Sequence, residues 1–325
     1  MKSLPIAIIT LFIILGISAN SNEANEEIAT FSIAAFDPAT GEIGVAVASR
    51  FFGVGAVVPW ARAGIGAVAT QAYANTTFGW RGLELMEKGA TPDEAMEILL
   101  RFDEKSARRQ VGIVSVDGKS ATFTGEGCSA WAGGRNGENY AVQGNILAGE
   151  AVVAAMEDAF LNTTGSLADK MYAALLAGEK EGGDSRGKQS AAIYIAKEKA
   201  GYGGYTDQAI DIRVDDHQEP FKELGRLLNI AQMNYSWNIA WTLFTEEKYT
   251  KSLPYMEKTA KLAPEYAEVL YDLAVIRLAV GNVESSLEAL KKAIKSNPKL
   301  KIQASTDSDM DGLRDNKEFQ KLIEK

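Results

Sequence analysis

Glycine divides this chain in two. Of its 30 glycines, only Gly225, Gly281 and Gly312 lie beyond Pro220. Glycine permits tight turns and close backbone approaches but weakens a helix by about 1 kcal/mol relative to alanine. The first part must therefore be built largely from strands and loops, whereas the second is free to be helical. Asp215-Asp216-His217-Gln218-Glu219-Pro220 is the polar, proline-ended stretch between them. The expected division is a domain over residues 30–216, then a linker and helical domain over residues 217–325. Ahead of both, Met1 and Lys2 precede an apolar run over residues 4–17, followed by the small pair Ser18-Ala19 and a polar stretch. That is the layout of a secretory signal, and the run falls short of the roughly 18 or more residues that a membrane span needs. The expectation is a signal peptide over residues 1–19, a short segment over 20–29, and a secreted or periplasmic mature protein with no membrane span.

Within the first domain, residues 30–36 and 42–49 are rich in β-branched and small apolar side chains, and Asp37-Pro38-Ala39-Thr40-Gly41 between them is a turn. They predict a hairpin. Residues 56–60 and 65–71 predict a second strand pair, and 77–87 and 91–102 predict helices. Thr91, Pro92 and Glu94 supply the N-cap, first-turn proline and capping-box acid of the latter. Strands over 109–116 and 120–124 meet at Asp117-Gly118, a strong hairpin signal. Helices over 149–160 and 166–178 and strands over 190–196 and 209–214 complete the order. Two antiparallel sheet halves with helices outside make this an α+β chain, a four-layer αββα sandwich.

The helical part repeats itself. Tyr249-Thr-Lys-Ser-Leu253 aligns with Val283-Glu-Ser-Ser-Leu287, and the same offset of about 34 residues, the tetratricopeptide period, carries Pro264 onto Pro298. An all-α, tetratricopeptide-like helical repeat domain follows, with residues 221–228 and 313–324 as its expected caps. Tyr235, Trp237, Trp241, Tyr255 and Tyr271 concentrate here. Such rings either pack between repeat helices or line a groove for a protein partner or a second copy of the chain.

Composition excludes several chemistries. With His217 and Cys128 as the single His and Cys, a His/Cys zinc site lacks ligands and no internal disulfide can form. Cys128 reads as a packed residue and His217 as a solvated one. A net charge of −9 argues against nucleic-acid binding. No cofactor is expected, with one exception in the tail. Asp307, Asp309, Asp311, Asp315 and Glu318, with Gly312, match the spacing of a calcium loop. The competing reading starts a capping helix at Asp311-Gly312, with Leu313, Phe319 and Leu322 closing the array. Two other groups of residues carry a double reading. Asp184, Arg186 and Gln189 lie in a glycine-flanked loop, which is either a ligand-binding loop or a solvated turn. Gln143 and Asn145 precede a helix, so they either cap it or offer amides to a substrate.

Several separated segments go further. The first is the whole predicted hairpin from Thr30 through Asp37-Pro38 to Arg50, and the second runs from Val58-Pro59-Trp60 to Gln71-Ala72. Arg109-Gln110-Val111-Gly112, Val142-Gln-Gly-Asn145 and Gly182-Gly-Asp-Ser-Arg-Gly-Lys-Gln-Ser190 follow in order. Together they resemble the family known as domain of unknown function 1028, which is grouped with the N-terminal-nucleophile hydrolases. The resemblance implies the αββα fold and a mechanism in which Thr30, as the first residue of the mature chain, is both nucleophile and, through its α-amine, general base. Arg62 would then supply a cation, and the Gln71 backbone an oxyanion donor, both by strand spacing. Ala48 departs from the proteasome-type pattern, which carries an Asp there, and a free amine requires a cut between Ala29 and Thr30. Without that cut Thr30 is a strand residue. The expected function is a C–N (amide) bond hydrolase acting on a small amide or peptide-like substrate, with the repeats binding a partner. The alternative is a non-catalytic ligand-binding or assembly module that keeps the fold.

Overall fold

The computed structural model describes residues 30–324, so the expected signal segment 1–19 and the segment 20–29 lie outside the described residues. Ten strands, among the described residues, form two antiparallel sheets. β1 (Thr30–Asp37), β2 (Glu42–Ser49), β3 (Pro59–Arg62) and β4 (Gly66–Ala72) precede the helices α1 (Thr77–Glu87) and α2 (Pro92–Arg101). β5 (Arg109–Ser115), β6 (Ser120–Thr124), β7 (Gly133–Gly137) and β8 (Tyr140–Asn145) lead into α3 (Glu150–Asn162) and α4 (Leu167–Lys180). β9 (Ser190–Ala196) and β10 (Gln208–Val214) end the series. The larger sheet has the order β10-β9-β2-β1-β8-β7, the smaller β3-β4-β5-β6.

Alternation along β1 and β2 assigns the faces. Successive side chains of a strand point to opposite sides. Phe31, Ile33 and Ala35 pack with Met156 of α3 and Met171 and Leu175 of α4. Ala34, Val45 and Val47 instead meet Ala67, Ala69 and Val114 of the smaller sheet. The other side of that sheet, through Val68, Val111 and Ile113, packs with Phe78 and Leu83 of α1 and Met96 and Leu99 of α2. The Thr91 capping box forms as the sequence predicts, with Glu94 N donating to the Thr91 hydroxyl and Thr91 N to the Glu94 carboxylate.

Two local expectations are corrected. Residues 54–56 form a 3-10 turn, so the strand expected from residue 56 starts only at Pro59. Gln143 and Asn145 do not precede a helix as caps but lie inside β8, which pairs with β1 and β7. β7 itself has the sequence Gly-Gly-Arg-Asn-Gly, with no apolar alternation to announce it.

A third difference concerns the boundary near residue 217. α5 (Pro220–Thr245) is one helix of 26 residues, and Pro220 starts it at a position where a missing N–H costs nothing. Its first half belongs to the first domain, because Phe221, Leu224 and Leu228 are buried in the same core as Phe31 and Met171. Tyr172 of α4 donates to the Phe221 carbonyl at 2.9 Å, and a Cβ on Gly225 would sit 2.3 Å from that hydroxyl, so a larger residue there would displace it. Gln232 adds bonds to Ser166 at 3.0 Å and Asp169 at 2.8 Å, at the start of α4.

The second half of α5 packs with α6 (Tyr249–Leu262), and α7 (Ala267–Ala279) and α8 (Val283–Ser296) continue the stack. The sequence offset returns as geometry. Ser252 donates to the Ala240 carbonyl at 2.7 Å, and Ser286, one period later, donates to the Ala274 carbonyl at 2.7 Å. α9 (Leu300–Thr306) and α10 (Lys317–Ile323) close the region, with Leu313 and Phe319 buried. Of the five aromatic residues singled out, Tyr271 is buried, Tyr235, Trp237 and Trp241 are half-buried, and Tyr255 reaches solvent. Among the described residues no helix is long and apolar enough to cross a membrane.

Trp237 and Trp241 both donate their indole N–H to the same oxygen of Asp272, at 2.7 and 2.6 Å. Burial pushes the Asp272 carboxyl up to about 6, against the pull of the two indole bonds, and Asp307 and Glu268 add to the rise. A carboxyl raised on folding contributes stability that is fully present below its unfolded value near 4 and lost as pH rises through 6. Asp272→Asn should therefore remove a pH-dependent loss of about 2–3 kcal/mol between roughly pH 4 and 7. Urea unfolding of both chains across that range checks it, and a difference that does not vary with pH would refute the assignment.

Candidate functional site

The layer between the sheets is apolar over most of its length and polar at one end. The pairing register explains the position of that end. Thr30 pairs with Ser49 on one side and Asn145 on the other, and Ser49 pairs with Ser190. A row of four polar residues thus crosses the larger sheet where β1 begins. Opposite it, Gln71 pairs with Gln110, which pairs with Thr124. Thr30, Ser32, Ser49, Gln71, Gln110, Gln143 and Asn145 are all buried.

Carboxamides join the two sheets. Ser32 donates to Gln71 Oε1 at 2.6 Å, while Gln71 Nε2 reaches the Thr30 carbonyl at 3.2 Å and Gln110 Oε1 at 2.8 Å. Gln143 Nε2 donates to Ser32 Oγ at 2.6 Å, and Gln110 Nε2 to the Gly144 carbonyl at 2.7 Å. The Gln143 side chain needs the space above Gly112, where a Cβ would lie 2.0 Å from its Oε1. Thr30 Oγ1 lies 3.2 Å from Ser49 Oγ. Asn145 Nδ2 donates to Gln110 Oε1 at 3.0 Å, yet its Oδ1 is buried with no hydrogen-bond partner. An unsatisfied buried acceptor costs about 1–3 kcal/mol and calls for an explanation. The residues that follow Gln71 and Asn145 are also unusual. Ala72 has φ 62° and Ile146 has φ 52°, and a β-branched residue in the left-handed region is strained. Strain of this kind concentrates at functional sites.

Charge is held at the edge of this end. Arg109, next to Gln110, forms a buried ion pair with Asp103 at 3.0 Å. Burial pushes the Asp103 carboxyl up, but bonds from Arg109, Asn75 and the Lys105 amide outweigh it and hold the group below its usual range. The groups described around Thr30 are hydroxyls and carboxamides, which neither donate nor accept a whole proton at ordinary pH.

The structure brings together Thr30, Gln71, Gln143 and Asn145. Arg62 is not with them. It pairs with Gly66 at the far end of β4, about 17 Å from Gln71 along the strand, and its guanidinium binds Glu87 at 2.7 Å on the surface. Gln71 takes part through its side chain rather than its backbone. Thr70 N–H goes to the Val58 carbonyl, so by alternation the Gln71 N–H faces β5 in the sheet ladder. Asp184 is buried and accepts from Arg50 N at 2.8 Å and Arg186 N at 2.9 Å, so it braces the loop beyond Ser49. Arg186 is paired with Asp184, whereas Gln189 turns to Asp216 at 3.1 Å. Cys128 is half-buried, with Sγ 3.4 Å from the Arg109 carbonyl. Gln110 and Ser49 were missed by sequence reasoning, although each is a polar residue next to the apolar middle of its strand.

The tail carboxylates do not converge. Asp307 accepts from Tyr271 at 2.7 Å and caps the 3-10 turn Ser308–Leu313, while Asp311 takes Arg314 at 3.1 Å. Arg314 also donates to the Ala304, Ser305 and Asp307 carbonyls. Among the described residues, Asp309, Asp315 and Glu318 included, no group of three or more His, Cys, Asp or Glu side chains is placed to hold a metal ion.

No curated protein matches the chain. A tetratricopeptide repeat family matches residues 243–305, which span the end of α5 through α9. The crystal structure of protein SPO2555 from Silicibacter pomeroyi, described as a DUF1028 protein, is similar at 29% identity with a TM-score of 0.57, covering 63% of this chain and 89% of that one. A family of unknown function, DUF1028, matches residues 30–224, from Thr30 into the first turns of α5. On that match over more than half its length, the chain belongs to the DUF1028 family and carries a tetratricopeptide repeat region after it.

Proposed function

We propose that the first domain is a four-layer αββα N-terminal-nucleophile hydrolase of amide bonds, secreted or periplasmic, whose repeat region binds a protein partner. The observation that carries this reading is the placement of Thr30, which opens β1 with its hydroxyl 3.2 Å from Ser49 Oγ in the buried polar end between the sheets. Once a cut after Ala29 frees the α-amine, the steps balance with this residue alone. The amine takes the hydroxyl proton as Oγ1 bonds to the substrate carbonyl carbon. The C–N bond then breaks, the leaving amine takes that proton, and water hydrolyses the resulting ester to release the acid and restore Thr30. Asn145 is the register partner of Thr30 on β8, and its unpartnered Oδ1 would be the acceptor for the new α-amine.

Tetratricopeptide repeats support the protein-interaction part of the reading with or without catalysis. The test is the N-terminus of the mature protein, recovered from cells expressing the full sequence. Intact mass should place the first residue at Thr30, and periodate, which cleaves only an N-terminal amino alcohol, should convert it to an aldehyde. A mature chain that begins upstream of Thr30 and resists periodate would leave a binding or assembly module in its place.

A further inference from the structure

A groove of about 710 Å³ lies between the β10 side of the larger sheet and the second half of α5. That volume suits a small ligand, and junctions between domains are common places for such sites. Tyr202 and Tyr205 stand on its rim, 88% and 89% exposed. They are carried by a fixed turn rather than a loose one. Asn238 Nδ2 donates to the Gly201 carbonyl at 2.8 Å, and Gly203 N donates back to Asn238 Oδ1 at 3.0 Å. On the helix side, Trp237 and Trp241 line the groove with their indoles anchored to Asp272.

The lining selects the ligand class. Its one charged residue, Asp211, is already paired with Arg213 at 2.9 Å, so the groove offers no net charge to an ionic ligand. Its carboxamides offer acceptors as well as a spare N–H on each nitrogen. Asn234 gives its Nδ2 to the Ile230 carbonyl and Gln208 gives its Nε2 to Asp211, which leaves both side-chain carbonyl oxygens without a donor among the described residues. The occupant must therefore be uncharged, present flat apolar faces to aromatic rings, and donate hydrogen bonds from its edges. A proline-rich peptide meets the first two conditions but its prolines have no N–H to donate. Sugar rings meet all three, through their C–H faces and their hydroxyls. We propose that this groove binds a short neutral oligosaccharide, independently of any chemistry at Thr30.

Calorimetry and tryptophan fluorescence on the full mature chain test this with chitotetraose, cellotetraose and maltotetraose. At least one should bind saturably and alter the fluorescence of the groove tryptophans. The double change Tyr202→Ala and Tyr205→Ala should weaken that binding about tenfold or more. Because both rings stand outside the cores, the melting temperature should not move. Asn234→Leu should weaken it as well. The proposal is overturned if none of the three sugars binds up to about 10 mM, if binding survives the tyrosine changes, or if a proline-rich decapeptide binds through those tyrosines instead.

Discussion

A chain cut after Asp216 should fail to unfold cooperatively, whereas one cut after Met233 should melt as a single domain. The difference is the first half of α5. Phe221, Leu224 and Leu228 are buried beneath the larger sheet's helices, with Phe221 stacked on Phe31 at 6.2 Å between ring centroids. At about 2 kcal/mol for each buried side chain, their loss costs roughly 6 kcal/mol, a large part of the 5–15 kcal/mol that holds a domain folded. Phe31 would also face water, and Gln232 would no longer tie down the start of α4. Urea unfolding followed by circular dichroism distinguishes the two chains. Equal stability would mean that α5 rests on the domain without completing it.

Gln71→Ala should lower the unfolding free energy by roughly 3–5 kcal/mol. Gln71 is fully buried and joins Ser32, the Thr30 carbonyl and Gln110 across the two sheets. Its removal opens a cavity and leaves the Ser32 hydroxyl and Gln110 Oε1 short of a partner. Gln71→Leu separates those causes, because leucine restores most of the volume and none of the bonds. If the carboxamide bonds carry the effect, leucine should be nearly as damaging as alanine. Recovery of most of the stability by leucine would show that packing alone matters there.

Elements with local signatures were legible. The turn after Asp37, the Thr91 capping box and the offset from Pro264 to Pro298 are each written in a few residues, and each recurs in the structure. The polar end was legible only in part. Thr30, Gln71, Gln143 and Asn145 stand out singly in the sequence, but their meeting depends on how one sheet faces the other, which no short stretch records. Arg62 was misplaced because counting along a strand gives a position but not which end of the sheet it serves. The junction near Pro220 was hidden by its polarity, since the same residues can make a loose linker or the approach to a helix. Only the burial of Phe221 and Leu224 decides between them.

The shared helix has a mechanical meaning. At about 1.5 Å per residue, α5 is a rod of roughly 39 Å, with one end set among the sheet's helices and the other among the repeats. It contains no proline after its first turn. Tyr235, past its midpoint, also reaches Glu42 on β2 at 3.2 Å. A load pulling on the repeats is therefore delivered to the sheet as torque along a stiff shaft rather than absorbed by a slack tether, so whatever docks on one end is held at a set angle to the other.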